Sequence, residues 1–162
     1  MLGAYRPNVA IIVTDGRGRV LLCQRINDPD NIQAVQGGID EGETVQEAAE
    51  RELQEELGIA KGQYTFLQAL IDSHRYDWTP AFQKKVAHTG LIGQEQTFFL
   101  AQVEPGIHFN LDAHEREFEK VWWDTPQAMV KKAWPPKRPG LRSALIGFGL
   151  LRPESPEELL GE

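Results

Sequence analysis

The chain predicts an α/β fold, an α/β/α sandwich around a mixed β-sheet. Three observations predict it. Apolar runs of strand length stand before and after one strongly signalled helix at residues 44–57. A second helix opens at Thr125-Pro126, a cap followed by proline at the first helical position. A third closes the chain over Leu141 to Leu151, so helices are available for both faces of a sheet. The 162 residues suit one domain, expected over residues 1–152, with an acidic tail over residues 153–162. At 41% hydrophobic content the chain is not disordered.

Taken in order, Asn8 to Thr14 reads as a buried strand, with Asp15-Gly16-Arg17-Gly18 as its turn and Arg19 to Arg25 as the next strand. Arg6 is expected just before the first strand and Arg25 just after the apolar part of the second. Ile32 to Val35 is a short apolar piece. Gly37 to Glu43 reads as a glycine-rich loop. Thr44 then caps a helix, with Glu47 at the capping-box spacing and Gly58 where a left-handed terminal residue is wanted. Gln63 to Asp72 is the next strand. Ser73 to Gly90 reads as a long irregular segment, and such segments are often functional. Ile92 to Val103 and Val121 to Trp123 are strands. Trp134 to Gly140 reads as a rigid basic loop.

The helix carries an anomaly. Turned at about 100° per residue from Val45, its apolar stripe holds Ala48, Ala49, Leu53 and Leu57. Glu56 and Glu52 fall at about 20° and 340°, inside that stripe, with Glu55 beside them. Carboxylates at the edge of a core are unfavourable unless they become neutral or gather a cation. An oxygen-only cluster of this charge suits Mg²⁺, with Mn²⁺ as substitute, rather than zinc. The plainer alternative is a solvated acidic face partnered by Arg51.

The same stretch matches a fixed pattern without a gap: Gly37, Glu43, Arg51-Glu52-Leu53, Glu55-Glu56 and Gly58-Ile59. It resembles the complete Nudix box. YRPNVAIIV and VQGGIDEGE resemble the subgroup that holds asymmetric dinucleoside tetraphosphate hydrolases and bacterial RNA 5′-pyrophosphohydrolases. Ala34-Val35 departs from the aromatic-Pro pair usual there. Gly93-Gln94-x-Gln96 resembles the subgroup's GQ-x-Q, and Tyr76-Asp77 its tyrosine near the base. Glu117-Phe118 resembles the Glu-Phe pair whose glutamate approaches the metal site. Lys137 stands where relatives meet the polyphosphate, with Trp134 as substitute for their stacking aromatic.

The resemblance implies a Nudix fold and hydrolysis of a phosphoanhydride with Mg²⁺ or Mn²⁺. It implies Glu52, Glu55, Glu56, Glu117 and the Gly37 carbonyl as ligands, and Arg51 as the group holding the carboxylates. Glu55 or Glu117 would take the proton of the attacking water. Arg6, Arg25 and Lys137 would clamp phosphates, with Tyr76 and Gln94 as further substrate contacts. The substrate expected first is a dinucleoside polyphosphate such as diadenosine tetraphosphate. The alternative is the 5′-triphosphate end of RNA. The formal net charge of −7 favours the small nucleotide over long nucleic acid. A non-catalytic sensing module would be expected to lose ligand carboxylates, and this box keeps them all.

No signal peptide is expected, because Met1-Leu2-Gly3 leads straight into polar residues, and no apolar run reaches membrane-spanning length. The single Cys23 excludes a disulfide framework and fits a cytoplasmic protein. No obligate protein partner is evident.

Overall fold

The structure is a computed structural model that describes residues 3–70 and 74–153. Its centre is a parallel pair, β1 (Ala4–Thr14) and β7 (Leu91–Val103), in register from Tyr5 opposite Gly93 to Thr14 opposite Gln102. Every other pairing is antiparallel, which makes the eight-stranded sheet mixed.

Both central strands are flanked by divided partners. The middle of β1, Asn8 to Ile11, pairs with β4 (Val35–Gly38), and its last residue, Thr14, with the start of β2 (Val20–Arg25). The early half of β7 pairs with β6 (His74–Asp77), and its later half with β5 (Tyr64–Ala69). Outside β2 lie β3 (Ile32–Gln33) and β8 (Phe118–Asp124).

Apolar residues on both faces of β1 require cover on both sides. Val9, Ile11 and Val13 pack with Ala48, Ala49, Leu53 and Leu57 of α1 (Val45–Leu57). Ala10 and Ile12 pack in a second cluster with Met129, Leu141 and Leu145, from α3 (Pro126–Lys132) and α4 (Arg138–Gly147). This is the expected sandwich around a mixed sheet. Among the described residues, no helix is long and apolar enough to cross a membrane.

Several boundaries differ from expectation. β1 starts at Ala4, so Arg6 lies within the strand rather than before it. Gly37 and Gly38 belong to β4, because β1 continues far enough to pair with them. The segment expected to be irregular holds β6, α2 (Pro80–Lys85) and a 3-10 turn at Ala87–Thr89. Tyr76 lies in β6, and Trp78 just beyond it, its N–H donating to the Ile92 carbonyl at 2.8 Å. Thr79-Pro80 is a cap-proline helix start, the Thr79 hydroxyl accepting from the Phe82 N–H.

The basic loop is a 3-10 turn, Pro135–Lys137, that runs directly into α4. Pro139 is tolerated in that first turn because its missing N–H is not needed there. The last helix therefore begins and ends earlier than Leu141–Leu151. The tail from residue 154, and residues 71–73, which include the end of the expected strand Gln63 to Asp72, lie outside the described residues.

Gly93 sets how close β6 comes to β7. A Cβ there would run into the Tyr76 carbonyl, a backbone atom that cannot rotate away. Gly93→Ala is expected to lower stability by about 1–3 kcal/mol through this overlap. Equilibrium urea unfolding reads it, and an unchanged midpoint would contradict it.

Candidate active site

Helix α1 carries the acidic groups. The Thr44 side chain accepts from the Glu47 N–H while Glu47 accepts from the Thr44 N–H, so both ends of the capping box are made. Gly58 ends the helix in the left-handed conformation, φ 67°. With the start and end set, the stripe holds its anomaly: Glu52 is 7% exposed and Glu56 3%.

Burial dominates their titration. The Glu52 carboxyl is pushed up to about 7, mainly by desolvation, with Arg51 pulling the other way and Glu55 and Glu117 adding repulsion. Glu56 is also held well above the usual carboxylate range, by desolvation first and then by its interaction with Glu117 and the charge of Glu52. Glu56 Oε2 accepts the Gln36 N–H at 3.2 Å, while Oε1 is buried without a partner.

Glu117 arrives from the strand opposite. Its carbonyl accepts the Ile26 N–H at 2.8 Å, just before β8, where the β2–β8 register shifts. Its carboxylate lies 3.6 Å from Arg25 Nη1.

Arg51 ties the helix to the loop before it. Its guanidinium donates to Glu43 at 2.8 and 3.0 Å, to Glu52 at 2.7 Å, to Glu55 at 3.3 Å and to the Gly38 carbonyl at 2.9 Å. Its pKa is raised, with Glu43 the largest cause, so the cation persists at any working pH. Glu43 also accepts the Asp40 N–H at 3.0 Å, which folds the loop onto the helix. Gly37 sits so near that a Cβ would enter the space of the Glu52 carboxylate.

Among the described residues, no three acidic, histidine or cysteine side chains already form a closed metal cage. Glu52 and Glu55 are engaged by Arg51, and Glu117 by Arg25. The donor set nevertheless fits a hard divalent cation. It offers oxygen alone, two buried carboxyls held above their ordinary pKa, and one orphaned buried oxygen on Glu56.

Next to the carboxylates opens a cavity of about 1020 Å³. Arg6, Arg25, Tyr76, Gln94 and Lys137 all line it. Glu52, Glu55, Glu56 and Glu117 do not; they lie behind Gln36 and Arg25, which belong to both regions. The Arg6 guanidinium fills the space over Gly38. The Tyr76 hydroxyl donates to Gln94 Oε1 at 2.7 Å, and burial pushes it up to about 12, so it stays protonated. Lys137 is pushed down to about 8 by burial and then by the charge of Arg25.

One wall is aromatic. The Tyr76 and Trp134 rings are 6.3 Å apart, Trp134 and Phe82 6.3 Å, and Phe82 and Trp78 5.0 Å. Sequence reasoning missed Phe82, whose signal was the Thr79-Pro80 helix start. It also missed Asn31 and Gln33, which line the cavity from the short strand β3 and the residue before it. No spacing marks them.

A family model described as "NUDIX domain" matches residues 4–144. An RNA pyrophosphohydrolase of Novosphingobium aromaticivorans is 34% identical over 148 residues, covering 89% of this chain and 92% of the relative. Among solved structures, an E. coli dihydroneopterin triphosphate pyrophosphohydrolase aligns with TM-score 0.70 at 22% identity, covering 89% of this chain and 99% of its own. A C. elegans Ap4A hydrolase binary complex aligns with TM-score 0.61 at 18% identity, covering 90% and 98%. At these identities the two solved structures speak for the fold alone.

The raised carboxyls set a sign for stability without metal. Glu52 titrates near 4.5 unfolded and about 7 folded, so its share of stability is lost as pH rises through that interval. At pH 8 the metal-free protein is expected to gain roughly 2–8 °C in Tm from Glu56→Gln, whose amide can donate to Glu117. Mg²⁺ is expected to raise the parent's Tm more than the variant's. Calorimetry with chelator and with Mg²⁺ checks this, and equal responses of the two proteins would contradict it.

Proposed function

The chain belongs to the NUDIX family of hydrolases, and from that premise we propose that it cleaves the phosphoanhydride of a nucleotide 5′-polyphosphate end. The observation that carries this reading is the placement of Glu52 and Glu56. They are buried in an apolar stripe, facing Glu117, behind a cavity that presents Arg6, Arg25 and Lys137. A purely structural helix would gain from apolar residues at those two positions.

In the proposed mechanism Glu52, Glu55 and Glu56 would hold Mg²⁺, or Mn²⁺ in its place, with Glu117 and the Gly37 carbonyl as further oxygen donors. Bound there, such a cation would supply charge neutralisation at phosphate oxygens and a more acidic water. Arg51 keeps the Glu52 and Glu55 rotamers in place through its bonds of 2.7 and 3.3 Å. Either Glu55 or Glu117 accepts the proton of the attacking water. Arg6, Arg25 and Lys137 bind the remaining phosphates, and Tyr76 with Trp134 offers the base an aromatic face. A cytoplasmic location accords with the single, unpaired Cys23.

Two substrates fit. The resemblance to a curated RNA pyrophosphohydrolase over nine-tenths of that protein puts the 5′-triphosphate end of RNA first. The net charge of −7 favours a dinucleoside polyphosphate, which stands second. This reverses the order that composition suggests, because the likeness at 34% identity weighs more than a charge total.

Incubation with Mg²⁺ and either 5′-triphosphorylated RNA or diadenosine tetraphosphate, with the products separated, decides between them. Release of pyrophosphate from RNA at the higher rate is expected; faster cleavage of the dinucleotide would restore the other order. Glu56→Gln is expected to slow either reaction about 10²–10³-fold, the equivalent of several kcal/mol of charge stabilisation. Near-normal turnover would sink the metal-cluster reading. The parent's kcat/KM is expected to fall as pH rises through about 8, where Lys137 loses its proton. Lys137→Met should be slower and lack that limb.

A further inference from the structure

Four amides drawn from four strands form a relay that ends in the cavity. Gln96 Nε2, on β7, donates to Asn8 Oδ1 on β1 at 2.9 Å and to Gln36 Oε1 on β4 at 3.1 Å. Gln36 Nε2 then donates to Gln33 Oε1 on β3 at 3.4 Å. Asn8, Gln96 and Gln33 are 2%, 3% and 4% exposed. Reversing any one amide alone would set donor against donor or acceptor against acceptor, so each holds the next. The far end of the relay, Gln33 Nε2, is buried without a partner, and Gln33 lines the cavity. Asn31 lines the same cavity, and its Oδ1 is likewise buried and unpartnered. A buried polar group left without a partner is unfavourable, and two of them on residues that line one cavity point to a ligand.

We propose that Gln33 is a specificity-determining residue, held by the relay so that its Nε2 donates to the nucleoside portion of the substrate. Phosphate oxygens offer acceptors alone and already have Arg6, Arg25 and Lys137 in this cavity. Asn31 Oδ1 needs a donor. A sugar hydroxyl or a base edge offers an acceptor beside a donor, and the aromatic wall gives the same nucleoside a face to stack on. Gln96 is a positioning residue, acting on the substrate through Gln36 and Gln33. The proposal rests on the nucleotide reading of the cavity and adds the contact that tells a nucleoside from a bare polyphosphate.

Isothermal titration with adenosine 5′-(β,γ-imido)triphosphate and with inorganic tripolyphosphate tests it. Gln33→Met should weaken the nucleotide about tenfold and leave tripolyphosphate unchanged. Gln33→Glu, which keeps the shape and replaces the donor by an acceptor, should weaken the nucleotide at least as much. Gln96→Leu should give a smaller loss of the same kind, with no further loss when combined with Gln33→Met. The 2′,3′-dideoxy nucleotide separates the sources. If it binds the parent as weakly as the full nucleotide binds Gln33→Met, the sugar is the partner; unchanged binding assigns the base edge. Equal weakening of nucleotide and tripolyphosphate, or no change in either, would overturn the proposal while leaving the nucleotide reading standing. Failure of the parent to bind the nucleotide would overturn both.

Discussion

Two carboxylates inside an apolar helix stripe are the constraint to which the surroundings answer. Glu52 and Glu56 occupy positions that leucine would fill more favourably, so the helix needs other means to stay on the sheet. Ala48, Ala49, Leu53 and Leu57 supply the packing. Arg51 supplies the electrostatics by drawing Glu43, Glu52, Glu55 and the Gly38 carbonyl around one guanidinium. The glycines before the helix follow from the same demand, since a side chain at Gly37 would occupy the volume of the Glu52 carboxylate.

The sheet converts this local strain into a site. Because β1 and β7 are each flanked by divided partners, β4 and β6 both reach the first half of the central pair and overlap at the level of Asn8 and Gln96. That half carries Arg6 and Asn8 on β1, Gln94 and Gln96 on β7, Gln36 on β4 and Tyr76 on β6. Polar residues thus concentrate where β1 and β7 are paired to short strands, while Ile12, Val13, Leu100 and Ala101 fill the other half with core. The acidic cluster and the cavity meet at Gln36 and Arg25, one bonded to Glu56 and the other paired with Glu117.

The acidic helix was legible in the sequence because its signals are local. Thr44, Glu47 and Gly58 define its ends, and a fixed 3.6-residue period says which side Glu52 and Glu56 face. The strand Asn8–Thr14 was legible for a similar reason, being a nearly continuous apolar run, and Ile92–Val103 through its apolar second half around Phe98 and Leu100. Less was legible where tertiary pairing decides. Nothing in Gln63–Gly90 says that β7 takes two antiparallel partners in succession, so β6 carries no strand signal of its own. Phe82 and Gln33 join the cavity by way of a short helix and a two-residue strand, elements too brief to carry a period. The carboxylate Glu117 was found by resemblance alone; its approach depends on a register shift in β8 that composition does not announce.

Cys23 adds a property of a different kind. It is fully buried beneath α1, in the cluster that holds Leu53 and Leu57, and burial pushes its thiol well up. It is also the chain's single cysteine. An alkylating reagent therefore reacts when the helix lifts from the sheet and finds little thiolate before that. The chain carries its own clock for the opening of the acidic helix, readable from the rate of thiol labelling without any introduced probe.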